Sequence, residues 1–353
     1  MTSLKPVQVG ILALALCTAK AAIAEQTQTP KARFAQAMKL LESDASAATS
    51  ILETLCDEAY ARGCDRLAFL TFKGRGVAQD SAKAIALYER AIKLGRASSL
   101  VSLGKTHLSL KQFEAAYRTL QSAMDQGIAK AEPVMAWANA TGRLGGLSQR
   151  QTGLTDLLKL AREDQRTAQL YTMDAVARIK DRRPNIDDIL DRLHQRHIEG
   201  DAKAAEALLR YYRIVDHDKG TIRMRATLLD TAGLRDKIRI EEGLYLARDQ
   251  RPAQFWSASE DLVRSAPPDV FARALVVSAK ININAYVRIV QKELRALGYP
   301  VGRPSPYMNR PLVRSINAFC ADTGLGSACR QGPLKSATIK AVAAELSNAR
   351  ARS

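Results

Sequence analysis

The chain has 353 residues, of which 46% are hydrophobic, 25% charged and 5% aromatic, and it carries a formal net charge of +17. That length allows two domains, or an elongated array with an appendage, without a metal-stabilised core. So few aromatics, with little strand-like alternation, argue against a sheet protein. The basic excess suits an anionic partner such as acidic polysaccharide, wall polymer or lipid headgroups, or arginines spread over exposed helix faces.

The amino terminus reads as a secretory signal over 1–24, with Lys5, an apolar run from Val7 to Ala19, and small residues at Ala22-Ile23-Ala24 before Glu25. Its apolar part falls short of the ~20 residues of a membrane span, and no later segment approaches that length. Cys17 stands where a lipid-modified cysteine would, but the bulky Leu16 before it favours cleavage after Ala24. The expected mature protein is periplasmic, carries a charge of +15 once Lys5 and Lys20 are gone, and is separated from nucleic acid.

Four cysteines then remain, Cys56, Cys64, Cys320 and Cys329. An even number in an exported chain suggests two local disulfides, the alternative being four buried thiols.

Repeats appear as fixed offsets. Ala48, Leu52, Cys64 and Ala68 recur 36 positions on as Ala84, Tyr88, Leu100 and Gly104. The next copy steps by 32, taking Ala84, Tyr88 and Ala91 to Ala116, Leu120 and Ala123, with the deletion in the turn where Leu108–Gln112 replaces Phe72–Asp80. Each copy reads as a helix pair in which small residues allow close helix approach and Leu87, Tyr88 and Leu120 fill the seam. Gly74 and Gly76 mark the turn.

Leu55-Cys56, Gly63-Cys64, Leu67-Ala68, Gly74-x-Gly76-Val77, Asp80, Lys83-Ala84 and Tyr88-x-x-Ala91 resemble the Sel-one-like repeat, a relative of the tetratricopeptide repeat. The cysteine spacing is similar to that of its secreted cysteine-rich branch, although later copies have Ile92 and Leu100 in the matching places. The resemblance implies an all-α fold, a right-handed α-solenoid of helix pairs, with repeats over 32–142.

Beyond Gly142 the pattern weakens. Helical spacing persists at 153–162, 165–180, 186–197, 202–215, 221–231, 237–247 and 252–264, so 143–266 is expected to continue the array in degenerate form. After Pro267-Pro268 and the segment 270–279, Asn282-Ile283-Asn284 reads as a linker and helix cap. An amphipathic helix follows over 287–299 with Gly298 near its end. A second carries Val313, Ile316, Ala318 and Phe319, and a third begins near Leu334.

Gln291, Leu294, Leu297, Gly298, Tyr299, Gly302, Ile316, Phe319, Thr323, Gly324 and Leu325 are similar to a peptidoglycan-binding-like domain, which implies a small three-helix domain over 282–350. The Asp-Gly pair often found in its loop is replaced by Pro304-Ser305-Pro306-Tyr307-Met308-Asn309. A bridge between Cys320 and Cys329 would pin its second helix to the chain entering the third.

The chemistry-bearing residues form no familiar constellation. Asp191, His194, His197 and Glu199 have helical spacing, but Arg192 and Arg196 among them indicate a solvated face rather than a metal site. His107 and His217 stand alone, and Gly74-x-Gly76 lacks the third glycine of a phosphate loop. No catalytic residue, metal or cofactor is expected, and the chain is read as a non-enzyme.

Tyr299, Tyr307, Asn309 and Trp137 are the candidate glycan or partner contacts. Trp256, which follows Phe255, and Tyr211 and Tyr212 carry the same choice between binding and core packing. The expected function is a periplasmic scaffold that binds envelope proteins and supports exopolysaccharide assembly or export, similar to the repeat protein of alginate export. The competing expectation is a peptidoglycan-binding or other glycan-binding module that tethers or regulates cell-wall enzymes.

Overall fold

A computed structural model describes residues 29–352 except 42, 180–182, 216–217 and 251–253. The signal over 1–24, Cys17 and His217 therefore lie outside the described residues. The described chain is all-α, with no strand, and divides into two compact units, 1–160 and 161–353.

The first unit stacks α1 (Pro30–Leu40), α2 (Ala45–Asp57), α3 (Ala61–Lys73), α4 (Ser81–Lys93), α5 (Ser99–Ser109), α6 (Phe113–Asp125) and α7 (Ala131–Ala140). A 3-10 turn at Gly145–Leu147 leads into α8 (Arg150–Arg162). Side-chain caps fix several starts. The Asp44 carboxylate accepts from Ala47 N at 2.9 Å, and the Asp80 carboxylate accepts from Ala82 N and Lys83 N, both at 2.9 Å.

The repeat positions form the interior. Ala48, Ala84 and Ala116 are fully buried, as are Leu52, Tyr88 and Leu120 one helical turn later. Backbones approach so closely that a Cβ on Gly104 would stand 2.7 Å from Leu120 Cδ2. Gly76 has φ +72°, and a Cβ there would stand 2.1 Å from Ala45 O, so the turn after α3 accepts no side chain. Thr49 Oγ1 donates to Gly76 O at 2.9 Å, tying that turn back to α2.

Cys56 and Cys64 are bonded at S–S 2.04 Å with Cα atoms 4.6 Å apart, joining the end of α2 to α3.

The second unit contains the end of α8 and then α9 (Arg166–Val176), α10 (Asp187–Ile198), α11 (Ala202–Val215), α12 (Lys219–Leu229), α13 (Asp236–Gln250), α14 (Phe255–Arg264) and α15 (Pro268–Ile281). It continues through α16 (Ile283–Ala296), α17 (Arg310–Asp322), the one-turn α18 (Gly326–Cys329) and α19 (Ser336–Arg352). Helical packing thus persists where the sequence repeat fades.

The segment expected as a linker is only Asn282. It ends α15, and its side chain caps α16 by accepting from Asn284 N at 2.9 Å. One apolar core runs on either side of it, from Ile240 and Phe271 to Tyr286, Phe319 and Leu346. Buried Gln291 organises the following loop, donating to Val301 O at 3.1 Å and Arg303 O at 2.7 Å while accepting from Ser305 N at 2.8 Å. Cys320 and Cys329 are bonded, with Cα atoms 6.4 Å apart, joining α17 to α18.

Candidate functional site

The sequence-selected contact residues divide by role. Trp137 is half-buried on α7 in the first unit, with the Arg143 guanidinium 4.4 Å from its ring centroid. The other three are in the second unit. Tyr299 packs edge-on against Phe319 at 5.8 Å and donates its hydroxyl to Asp322 Oδ2 at 2.7 Å. That hydrogen bond, assisted by burial and by the Asp322 charge, pushes the phenol pKa up. Tyr299 therefore braces the fold.

Asn309 is occupied as the N-cap of α17, accepting from Leu312 N at 3.0 Å. Tyr307, just before it, is 62% exposed. Its ring meets Trp256 edge-on at 6.1 Å with an interplanar angle of 86°. The fold brings this pair together across 51 residues of chain, forming an aromatic surface point that neither residue signals by itself.

His194 and His197 do not converge on a metal geometry. His194 Nε2 lies 2.7 Å from the Tyr212 hydroxyl, with the two rings stacked, while His197 Nδ1 lies 3.2 Å from Thr231 Oγ1. Burial pushes the His194 pKa down and nearby His197 adds to this, against Asp191. His107 Nδ1 engages the Gln112 side-chain oxygen at 2.6 Å. Among the described residues, no group of three or more His, Cys, Asp or Glu is placed to hold a metal ion.

Sequence reasoning missed a charged layer through α11, α12 and α13. Arg225 is fully buried, and its Nη1 reaches Asp249 Oδ2 at 2.6 Å. Arg248 Nε donates to the other Asp249 oxygen at 2.7 Å. Burial works to raise the Asp249 pKa, but hydrogen bonds from Arg225 and Arg248 carry it below the ordinary carboxylate value.

Beside it, Arg213 Nη1 lies 3.0 Å from Glu242 Oε1. Burial pushes Glu242 upward against the attraction of Arg213 and Arg225. Arg225 stands three residues before the buried Leu228, on the same side of its helix; that spacing was the available signal.

Arginine also clasps neighbouring helices elsewhere in this unit. Arg166 donates through Nε and Nη2 to the two Asp201 oxygens at 2.5 and 2.6 Å, and Arg235 donates in the same way to Glu206 at 2.7 and 2.5 Å. Such planar pairings fix orientation as well as charge. Together these features define a protein of stacked helix pairs, two disulfides and a strongly basic composition. No helix among the described residues is long and apolar enough to cross a membrane.

Neither a protein-family description nor a curated protein matches this chain. Among solved structures, it is similar to a protective antigen present in uropathogenic Escherichia coli strains displaying an SLR fold. The identity is 14% and the TM-score 0.36, over 92% of this chain and 80% of that one. The all-helical architecture is established by this chain's own helices and packing.

Proposed function

We propose that the chain is an exported, non-catalytic periplasmic scaffold that holds an envelope protein on its helix-pair stack and supports assembly or export of an acidic exopolysaccharide. In this reading residues 1–24 direct export, 32–142 and 143–266 form regular and degenerate repeats, and 282–350 form a peptidoglycan-binding-like end. Disulfides of this kind form and persist in oxidising compartments, and the charge of +15 left after removal of Lys5 and Lys20 from the +17 of the full chain suits an acidic polymer.

The observation that carries the protein-binding part is Phe69 on α3. It is 39% exposed, one of several exposed large hydrophobics of the first unit, and has the Arg66 guanidinium carbon 5.1 Å from its ring centroid. An exposed aromatic beside a cation is the kind of anchor that protein interfaces use. A photo-cross-linking residue at position 69, activated in intact cells, is expected to yield an adduct with a polysaccharide-export protein. Absence of any protein adduct would defeat the docking role.

A second reading, a glycan module that tethers or regulates wall enzymes, is favoured by the Trp256–Tyr307 pair. On this reading the chain sediments with purified peptidoglycan, and Tyr307→Ala weakens the association. Retention that is insensitive to this substitution would show that Tyr307 does not contact the glycan.

A further inference from the structure

We propose that the pocket formed by α13, α15 and α19 binds a carboxylate-bearing sugar. The pocket has a volume of about 280 Å³ and is lined by Glu241 and Tyr245 from α13, Arg273, Val276 and Lys280 from α15, and Lys340 from α19.

Its one acid is already neutralised. Arg273 places Nε at 2.8 Å and Nη2 at 2.6 Å from Glu241 Oε2, while Arg213 stands 3.9 Å from Glu241 Oε1. Lys280 and Lys340 are both exposed, and neither has an ion-pair partner among the described residues. Two exposed ammonium groups thus line the pocket together with Val276 and its apolar neighbours, with no acid paired to them. The Tyr245 ring is packed against two guanidinium groups, Arg213 at 4.4 Å and Arg248 at 5.5 Å, which fixes it in the pocket wall; both guanidiniums are already paired with acids, so the uncompensated charge is that of the two lysines.

A concave site with an apolar wall and a few placed charges binds one compact ligand. The charge excess demands an anion, and the apolar wall suits the C–H face of a sugar ring. An extended acidic peptide would need a sheet edge or a long groove, and the described residues contain no strand. The sugar acid is either a free monosaccharide or a residue within a polymer. This inference deepens the polysaccharide part of the proposed function and rests on it; the Phe69 cross-link tests the protein-docking part independently.

The test is calorimetric titration of the full chain with galacturonate, trigalacturonate, neutral galactotriose and triglutamate, at low and raised salt. Both acidic sugars are expected to bind more tightly at low salt, with galactotriose silent. Tighter binding of the trimer identifies a polymer ligand, and equal binding a free sugar acid. Joint Lys280→Ala and Lys340→Ala substitution should weaken binding by about tenfold or more. Joint Lys93→Ala and Lys130→Ala substitution, which removes the same charge from the other unit, should leave binding unchanged. Thermal unfolding of each variant provides the folding control.

Silence of both acidic sugars, equal binding of galactotriose, equal losses in the two double variants, or tighter binding of triglutamate would each overturn the assignment. Any of those results would leave a Phe69 adduct standing, and loss of the adduct would not affect the titration.

Discussion

The two units solve the same packing problem with different chemistry. In the first, helices meet through Ala48, Ala84, Ala116 and Gly104, and several ion pairs lie at the surface: the carboxylates of Glu53 and Asp57, partners of Lys83 and Arg90, are more than half exposed, while the more enclosed Asp65 keeps 21% exposure. In the second, the acids move inward. Asp249, Glu260 and Glu293 have side chains at most 9% exposed, each held by at least two basic side chains. A stack can thus lose the small-residue rhythm of its repeats when directional arginine pairs take over the placement of neighbouring helices. The cost is dependence on partners, because a buried charge stripped of its counter-ion is strongly destabilising.

Each unit contains one of the two tryptophans, Trp137 or Trp256, so Trp→Phe backgrounds report the two units separately. The sharpest contrast comes from Asp249→Ala. It leaves Arg225 buried without its counter-ion and is expected to cost about 3–5 kcal/mol in urea unfolding followed by Trp256 fluorescence. The Trp137 transition should stay in place. A loss below about 1 kcal/mol, the range of a surface pair, would show that the layer is solvated and the contrast false.

Next in size is the Cys56–Cys64 bridge. Joint serine substitution should cost about 2–3 kcal/mol, read on Trp137, under a chain-entropy account of short loops. Equal losses on both fluorophores would contradict a local role.

Adding one methyl group should act in opposite directions in the two units. Gly104→Ala drives a Cβ into Leu120 and is expected to destabilise the first unit by about 1–3 kcal/mol. A Cβ on Gly243, inside α13, meets Leu262 Cδ2 at 3.5 Å, an ordinary contact. Gly243→Ala should therefore stabilise the second unit by about 0.5–1 kcal/mol through helix propensity. Destabilisation by Gly243→Ala in a urea melt would show that the second unit is packed as tightly as the first.

The smallest effect expected is in acid. Asp164, Asp201, Asp218, Asp249, Glu260 and Glu345 in the second unit have lowered pKa values, against Glu58 in the first. A lowered carboxylate contributes stability that is present above its unfolded value, near 3.8 for Asp and 4.5 for Glu, and is lost as pH falls through the folded value. Glu242 is raised and acts in the opposite sense, but it is one group against six. Titration from pH 7 to pH 3 should therefore shift the Trp256 signal before that of Trp137; the reverse order would refute the electrostatic contrast.

Much of the first unit was legible because its signals are periodic. The recurrence of Ala48 at Ala84 and Ala116 marks a buried stripe, and the structure buries all three. The helix pattern beyond Gly142 was also visible, since amphipathic spacing survives when repeat identity does not. At the candidate contacts the sequence offered Trp256 and Tyr307 separately and said nothing of their meeting, nor of the hydrogen bonds by which Tyr299 donates to Asp322 and Asn309 caps α17.

The sequence by itself determined the helices, the repeat step in the first third and the two pairs of cysteines, because backbone propensity and residue periodicity act over a few turns of chain. Tertiary structure decided which arginine meets which carboxylate, with partners such as Arg225 and Asp249, or Arg166 and Asp201, lying 24 and 35 residues apart. It also left Lys280 and Lys340 uncompensated at one pocket. The register of helix packing sets these meetings, and the long arginine side chain, which sequence statistics place at the surface, can be buried wherever that register supplies an acid.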